Sequence, residues 1–91
     1  MPIADPKTYV KMLENAFEHG FAYPAINVTS MVTANAALKA FQELGSDGIL
    51  QVSTGGGKFA AGQACADMVV GAISIAEHVH RVAAKLDINV A

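Results

Sequence analysis

The sequence predicts an α/β fold built on a parallel sheet, and three observations carry that prediction. Short apolar runs at about 24–28, 47–52 and 88–91 read as buried strands. Between and before them lie segments whose apolar residues recur every three or four positions, as in amphipathic helices. The two kinds of segment alternate in the order helix, strand, helix, strand, helix, strand, an order that implies right-handed crossovers between parallel strands.

The first helix is expected over about 6–19. Asp5 is a good N-cap, Pro6 suits the first helical position, and Gly20 supplies the stop. Its apolar stripe is Tyr9, Val10, Leu13, Ala16 and Phe17. A strand follows at about 24–28, with Pro24 tolerated only because it is the first residue. Thr29 and Ser30 are candidate caps for a second helix, whose face is read as Ala37, Ala40, Phe41 and Leu44 and whose stop is Gly45. Residues 47–52 make the second strand. Ser53-Thr54-Gly55-Gly56-Gly57 reads as a loop by composition, and the chain to about 67 as Gly/Ala-rich and irregular. The longest helix comes next, with Met68, Ala72, Ile75, Val79, Val82 and Leu86 in one stripe and Glu77 placed to pair with Arg81 one turn on. Ile88-Asn89-Val90-Ala91 begins a third strand. The alternation fits either a (β/α)8 barrel, which typically needs about 250 residues, or a doubly wound sheet.

Composition says how such an array is covered. Hydrophobic residues are 53% of the 91 and charged residues only 15%, against about 25% charged in ordinary domains. A small domain has proportionally more surface and needs more charge, so much of this surface is expected to be covered by further chain or by a partner. The net charge is −2, and the six Lys and Arg do not cluster, which argues against nucleic acid as a partner. No apolar run is long enough to span a bilayer, and the Met1-Pro2-Ile3-Ala4-Asp5 opening has no basic start leading into an apolar stretch. A cytoplasmic protein is expected. Cys65, the one cysteine, allows no intrachain disulfide and reads as a small, semi-buried spectator.

Two polar spots fall at the C-terminal ends of predicted strands, where ligands bind in α/β folds. Asn27 ends the first, where it reads as a satisfied buried amide or as a ligand-facing group, and Ser53 with Gly55-Gly56-Gly57 follows the second. The glycines either cradle an anion with backbone N–H groups or simply make a turn. They do not form a Walker A loop, because Val52 stands where that motif needs its first glycine and Phe59 follows Lys58. Lys58 reads as a solvated loop lysine. His78 and His80 are two apart on a helix and point to opposite sides, so they do not chelate one metal. His19 suits a helix C-terminus as a charge favourable there. No carboxylate pair, nucleophile–His pair or Cys/His cluster has a useful spacing.

Three separated segments agree in order and spacing with a known family. Tyr23-Pro24-Ala25-Ile26-Asn27, Ser46-Asp47-Gly48-Ile49-Leu50-Gln51-Val52-Ser53-Thr54-Gly55-Gly56, and Gly71-Ala72-Ile73-Ser74-Ile75-Ala76-Glu77-His78-Val79-His80 resemble the start of class II fructose-bisphosphate aldolases, as does the opening Met1-Pro2-Ile3-Ala4. The resemblance runs in register over the whole chain. It implies a (β/α)8 TIM barrel of which residues 1–91 are the N-terminal portion of one domain, with a leading helix and about three parallel strands. It also implies a zinc-assisted, reversible cleavage of fructose 1,6-bisphosphate into dihydroxyacetone phosphate and glyceraldehyde 3-phosphate, in glycolysis and gluconeogenesis. Asn27 and Ser53 would then contact the substrate. No catalytic residue and no zinc ligand is expected in this segment, because the family's aspartate–histidine motif would begin beyond Ala91. The 91 residues alone are therefore expected to be inactive, and a homo-oligomer, dimer or larger, is expected of the complete protein. A tagatose-bisphosphate aldolase and a non-catalytic α/β interaction module are the alternative readings.

Overall fold

The computed structural model describes residues 3–91, so the opening Met1-Pro2 lies outside the described residues. Helix α1 spans Pro6–His19. Asp5 caps it by accepting a hydrogen bond from the Thr8 N–H at 2.7 Å, and Gly20 ends it in the left-handed conformation at φ 70°, which costs glycine no Cβ clash. Strand β1, Ala25–Asn27, starts one residue after Pro24, whose free carbonyl accepts from the Ile49 N–H at 2.9 Å. Helix α2, Met31–Leu44, opens on a reciprocal cap between Ser30 and Thr33 and stops at left-handed Gly45.

Strand β2, Ile49–Gln51, lies parallel to β1, with Ala25 opposite Ile49, Ile26 opposite Leu50 and Asn27 opposite Gln51. The third expected strand is present as a short parallel pairing at the end of the chain. Gly48 bridges Val90, and the Ala91 N–H donates to the Gly48 carbonyl at 3.0 Å. Asp47 fastens this pairing by accepting from the Asn89 backbone N–H at 2.7 Å and from its side-chain amide at 3.3 Å. On the far side of Val90 sits Ile3, also parallel, with the Ala4 N–H donating to the Val90 carbonyl at 2.8 Å.

The segment after β2 departs from its reading as an irregular loop. Helix α3 occupies Thr54–Cys65, kinked at Gly62 (φ 81°, ψ 164°). Glycines are poor helix formers, but here Ser53 caps the first turn and Gly57 packs directly on the next helix. Ala66 takes a left-handed turn at φ 52°, and the chain bends through 107° into helix α4, Met68–Ala83, capped by Asp67. No single described helix is long and apolar enough to cross a membrane.

The core lies on one side of the sheet. Val28, Ala34, Leu38, Phe41, Ile75, Val79, Ala83, Ile88 and Val90 form one buried cluster, with Leu50 and Val52 partly buried against it. The buried face of α2 is Ala34, Leu38 and Phe41, with Ala37 partly buried beside it; of the predicted stripe Phe41 and Ala37 face the core, whereas Ala40 and Leu44 are exposed, Leu44 by 82%. On α4 the buried line is Gly71, Ile75, Val79 and Ala83. The stripe of α1 is largely uncovered: Met12 and Ala16 are buried, but Tyr9, Val10, Leu13 and Phe17 are exposed. The expected Glu77–Arg81 pair does not form. The ion pair found among the described residues is the exposed Lys39–Glu43, at 3.7 Å.

Candidate functional site

Side chains along a strand alternate between faces. Val28, Leu50, Val52 and Val90 belong to the face that α2 and α4 cover; Ile26, in register with Leu50, is 41% exposed. Ala25, Asn27, Ile49 and Gln51 belong to the opposite face, where Asn27 and Gln51 are exposed cross-strand partners at the C-terminal ends of β1 and β2. Ser53 lies two residues beyond Gln51, still extended at φ −77° and ψ 165°. Asn27 and Ser53 thus sit at the same edge of the sheet. The two strand ends are tied there by the Val28 N–H, which donates to the Gln51 carbonyl at 3.0 Å.

Ser53 has a second task that the sequence reading did not assign. Its Oγ accepts from the Gly56 N–H at 3.0 Å, and its carbonyl accepts from the Gly57 N–H at 2.9 Å. It is the N-cap of α3, and a hydroxyl that accepts an amide N–H still has its own O–H to donate. The turn of α3 it caps rests on the end of β1: a Cβ at Gly56 would meet the Val28 carbonyl oxygen and Thr29 Cγ2, each at 3.4 Å. Glycines 55–57 are therefore helical, and Gly56 and Gly57 are buried and closely packed. Gln51 also escaped the sequence reading. Its signal was a polar residue inside the apolar run Ile49-Leu50-Gln51-Val52, in alternation with Leu50.

The edge offers an amide at Asn27, another at Gln51 and a hydroxyl at Ser53. These groups hydrogen-bond to hydroxyl or phosphate oxygens. Among the described residues, Ser53 Oγ is hydrogen-bonded to the Gly56 N–H and to no histidine or carboxylate. An apolar cavity of about 150 Å³ lies elsewhere, on the helix-covered face, lined by Val28, Leu50, Ile75, Val79 and Val90. Neither candidate residue lines it.

The other polar residues fall into structural places. His78 Nε2 donates to Asn35 Oδ1 at 2.7 Å and joins α4 to α2. His80 is exposed on α4, and the two imidazoles do not converge. Among the described residues, no group of three or more His, Cys, Asp or Glu stands close enough to hold a metal ion. His19 Nδ1 donates to the Asn15 carbonyl at 3.0 Å in the last turn of α1. Lys58 is exposed on α3. Cys65, expected to be semi-buried, is exposed at the end of α3.

Known proteins resemble this chain over its full length. The chain is 55% identical over all 91 residues to a fructose-bisphosphate aldolase of Mycobacterium leprae, covering 26% of that protein. It is 56% identical to a fructose-bisphosphate aldolase of Streptomyces coelicolor, again over its full length and 26% of the relative. The crystal structure of fructose-bisphosphate aldolase from Campylobacter jejuni superposes on 97% of this chain with a TM-score of 0.90 at 39% identity, using 25% of that chain. The chain thus spans about a quarter of the length of these relatives and matches the N-terminal part of their α/β fold. The family described as fructose-bisphosphate aldolase class-II matches residues 7–91, and the chain belongs to it.

Proposed function

We propose that these residues form one sector of the substrate-binding mouth of a (β/α)8 aldolase domain, which cleaves fructose 1,6-bisphosphate reversibly into dihydroxyacetone phosphate and glyceraldehyde 3-phosphate. The observation that carries this reading is the family match over residues 7–91 together with Asn27 and Ser53 at one C-terminal sheet edge. That edge is where such folds bind their ligands. In this reading Ser53 donates its hydroxyl proton to an oxygen on the aldehyde side of the sugar, while one of its two lone pairs serves the Gly56 N–H. Asn27 orients the sugar phosphate. Class II aldolases generally use zinc, which polarises a ketone oxygen when bound. The described residues do not supply a set of ligands for it. The 91 residues alone are inactive in this reading. A homo-oligomer and a cytoplasmic location go with it on the family resemblance.

The test is a hybrid in which this chain replaces the matching 91 residues of the Mycobacterium leprae relative. Cleavage of fructose 1,6-bisphosphate that a chelator abolishes is the expected result, and a folded but inactive hybrid overturns the reading. Ser53→Ala in the hybrid is expected to lower turnover about tenfold, in line with one lost hydrogen bond. His80→Gln, on an exposed face of α4, is expected to leave it within about twofold. Equal losses would contradict the placement of Ser53 at the mouth.

A further inference from the structure

We infer that Gly71 and Gly57 are positioning residues for Ser53, an assignment that rests on the mouth reading above. The two glycines lie where α3 and α4 meet backbone to backbone. A Cβ on Gly57 would stand 2.6 Å from the Met68 carbonyl oxygen. A Cβ on Gly71 would stand 2.6 Å from the Gly57 carbonyl carbon and 2.9 Å from the Ala61 nitrogen, and closer still to the Gly57 carbonyl oxygen. Real Cβ atoms essentially never come within 3.0 Å of such neighbours. The atoms in the way are main chain and cannot rotate aside as a side chain does. Any residue larger than glycine at 71 therefore pushes α3 bodily away from α4.

The first turn of α3 is where that displacement arrives. Gly57 lies in this turn, and the Gly57 N–H donates to the Ser53 carbonyl while the Gly56 N–H donates to the Ser53 hydroxyl. Gly56 is held on its other side by the Val28 carbonyl and Thr29. The turn is wedged between the end of β1 and the backbone of α4, and Ser53 is its N-terminal anchor. The depth of the Gly57–Gly71 contact thus sets where the Ser53 hydroxyl stands and which way its proton points. Gly71 never reaches the sheet edge itself: it acts through α3.

A double-substitution cycle in the hybrid separates this role from a general loss of stability. Gly71→Ala is expected to lower kcat/KM for fructose 1,6-bisphosphate about tenfold or more when Ser53 is present, as small misplacements of a substrate-contacting group do. In the Ser53→Ala background the same substitution is expected to cost less than about twofold, because the group it misplaces is gone. Equal losses in both backgrounds overturn the inference. If Gly71→Ala unfolds the hybrid, Gly57→Ala approaches the same contact from the other helix and repeats the cycle. Amide exchange at Gly56 in the same protein reads the geometry without any activity. Gly71→Ala is expected to accelerate it about tenfold through loss of the Ser53 cap, and an unchanged rate overturns the inference. An inactive parent hybrid overturns the functional reading, and the Gly56 exchange then decides the positioning role on its own.

Discussion

Helices α2 and α1 are equal in length and similarly capped, yet they end up in opposite surroundings. Both have 14 residues, a side-chain cap accepting from the third helical N–H, and a left-handed glycine at the end. α2 lays Ala34, Leu38 and Phe41 against α4 and the sheet, and Leu38 is only 1% exposed. α1 carries an apolar stripe just as clear, but Phe17 at its end is 89% exposed. Capping and periodicity therefore decide that a segment is helical, and the neighbours decide whether its stripe is core. The same contrast divides the sheet. One face is covered by α2 and α4, and the other, carrying Asn27 and Gln51, is open.

The largest effect expected from this contrast is Leu38→Ala, which should cost about 2–5 kcal/mol in denaturant unfolding. Phe17→Ala should stay within about 0.5 kcal/mol in the 91-residue chain. If the two variants cost the same, α1 is covered in solution and the contrast fails. Gly48→Ala should cost about 1–3 kcal/mol, since its Cβ would press into the Phe41 ring in the covered layer. Asn35→Ala, which removes the acceptor for His78 between α2 and α4, should cost about 1 kcal/mol or less by the same measurement. On the uncovered side, the isolated chain should self-associate in sedimentation, and Phe17→Glu should lower its mass average. A sharp monomer from the unaltered chain would remove that expectation.

The smallest effect concerns Asp5. The hydrogen bond from the Thr8 amide holds its carboxyl below the ordinary aspartate value. A lowered folded-state value means that the cap stabilises α1 fully above the unfolded-state value, and that this contribution fades as the pH falls through the folded-state one. Helicity of α1 followed by circular dichroism should therefore drop slightly between about pH 5 and pH 2. Asp5→Asn should flatten that drop, since Asn also caps but does not titrate.

The sequence was most legible where a local signal sufficed. Asp5 with Pro6 and Gly20 located α1 to the residue, because cap chemistry acts within one turn. Asn27 and Ser53 were found at strand ends because an apolar run stops there on a polar residue. α3 was hidden because its support lies outside its own turns, on the helix that follows it. Three glycines read as a loop until Ser53 is seen to cap their turn and Gly57 to pack backbone to backbone on Gly71 of the next helix. The burial of α2 was misread by rotation: Ala40 and Leu44 fit the same period as Leu38 and Phe41, and the position of α4 alone selects between the two faces. The Glu77–Arg81 spacing permitted a pair that two solvated side chains gain little by making.

The bridge between Ile3 and Val90 bears on how the molecule reaches this shape. It joins residues from opposite ends of the described chain, so nearly the whole length must be gathered before that pairing returns anything for the chain entropy it costs. The α3–α4 corner asks for nothing so distant: its partners are a few turns apart. Local corners of that kind form in microseconds, whereas pairings between remote segments set the slow step of a fold. Asn89, next to Val90 in the terminal segment, and Asp47, just ahead of β2, are hydrogen-bonded beside the bridge. Their hydrogen bonds fasten a seam that closes only once nearly the whole described chain has been gathered.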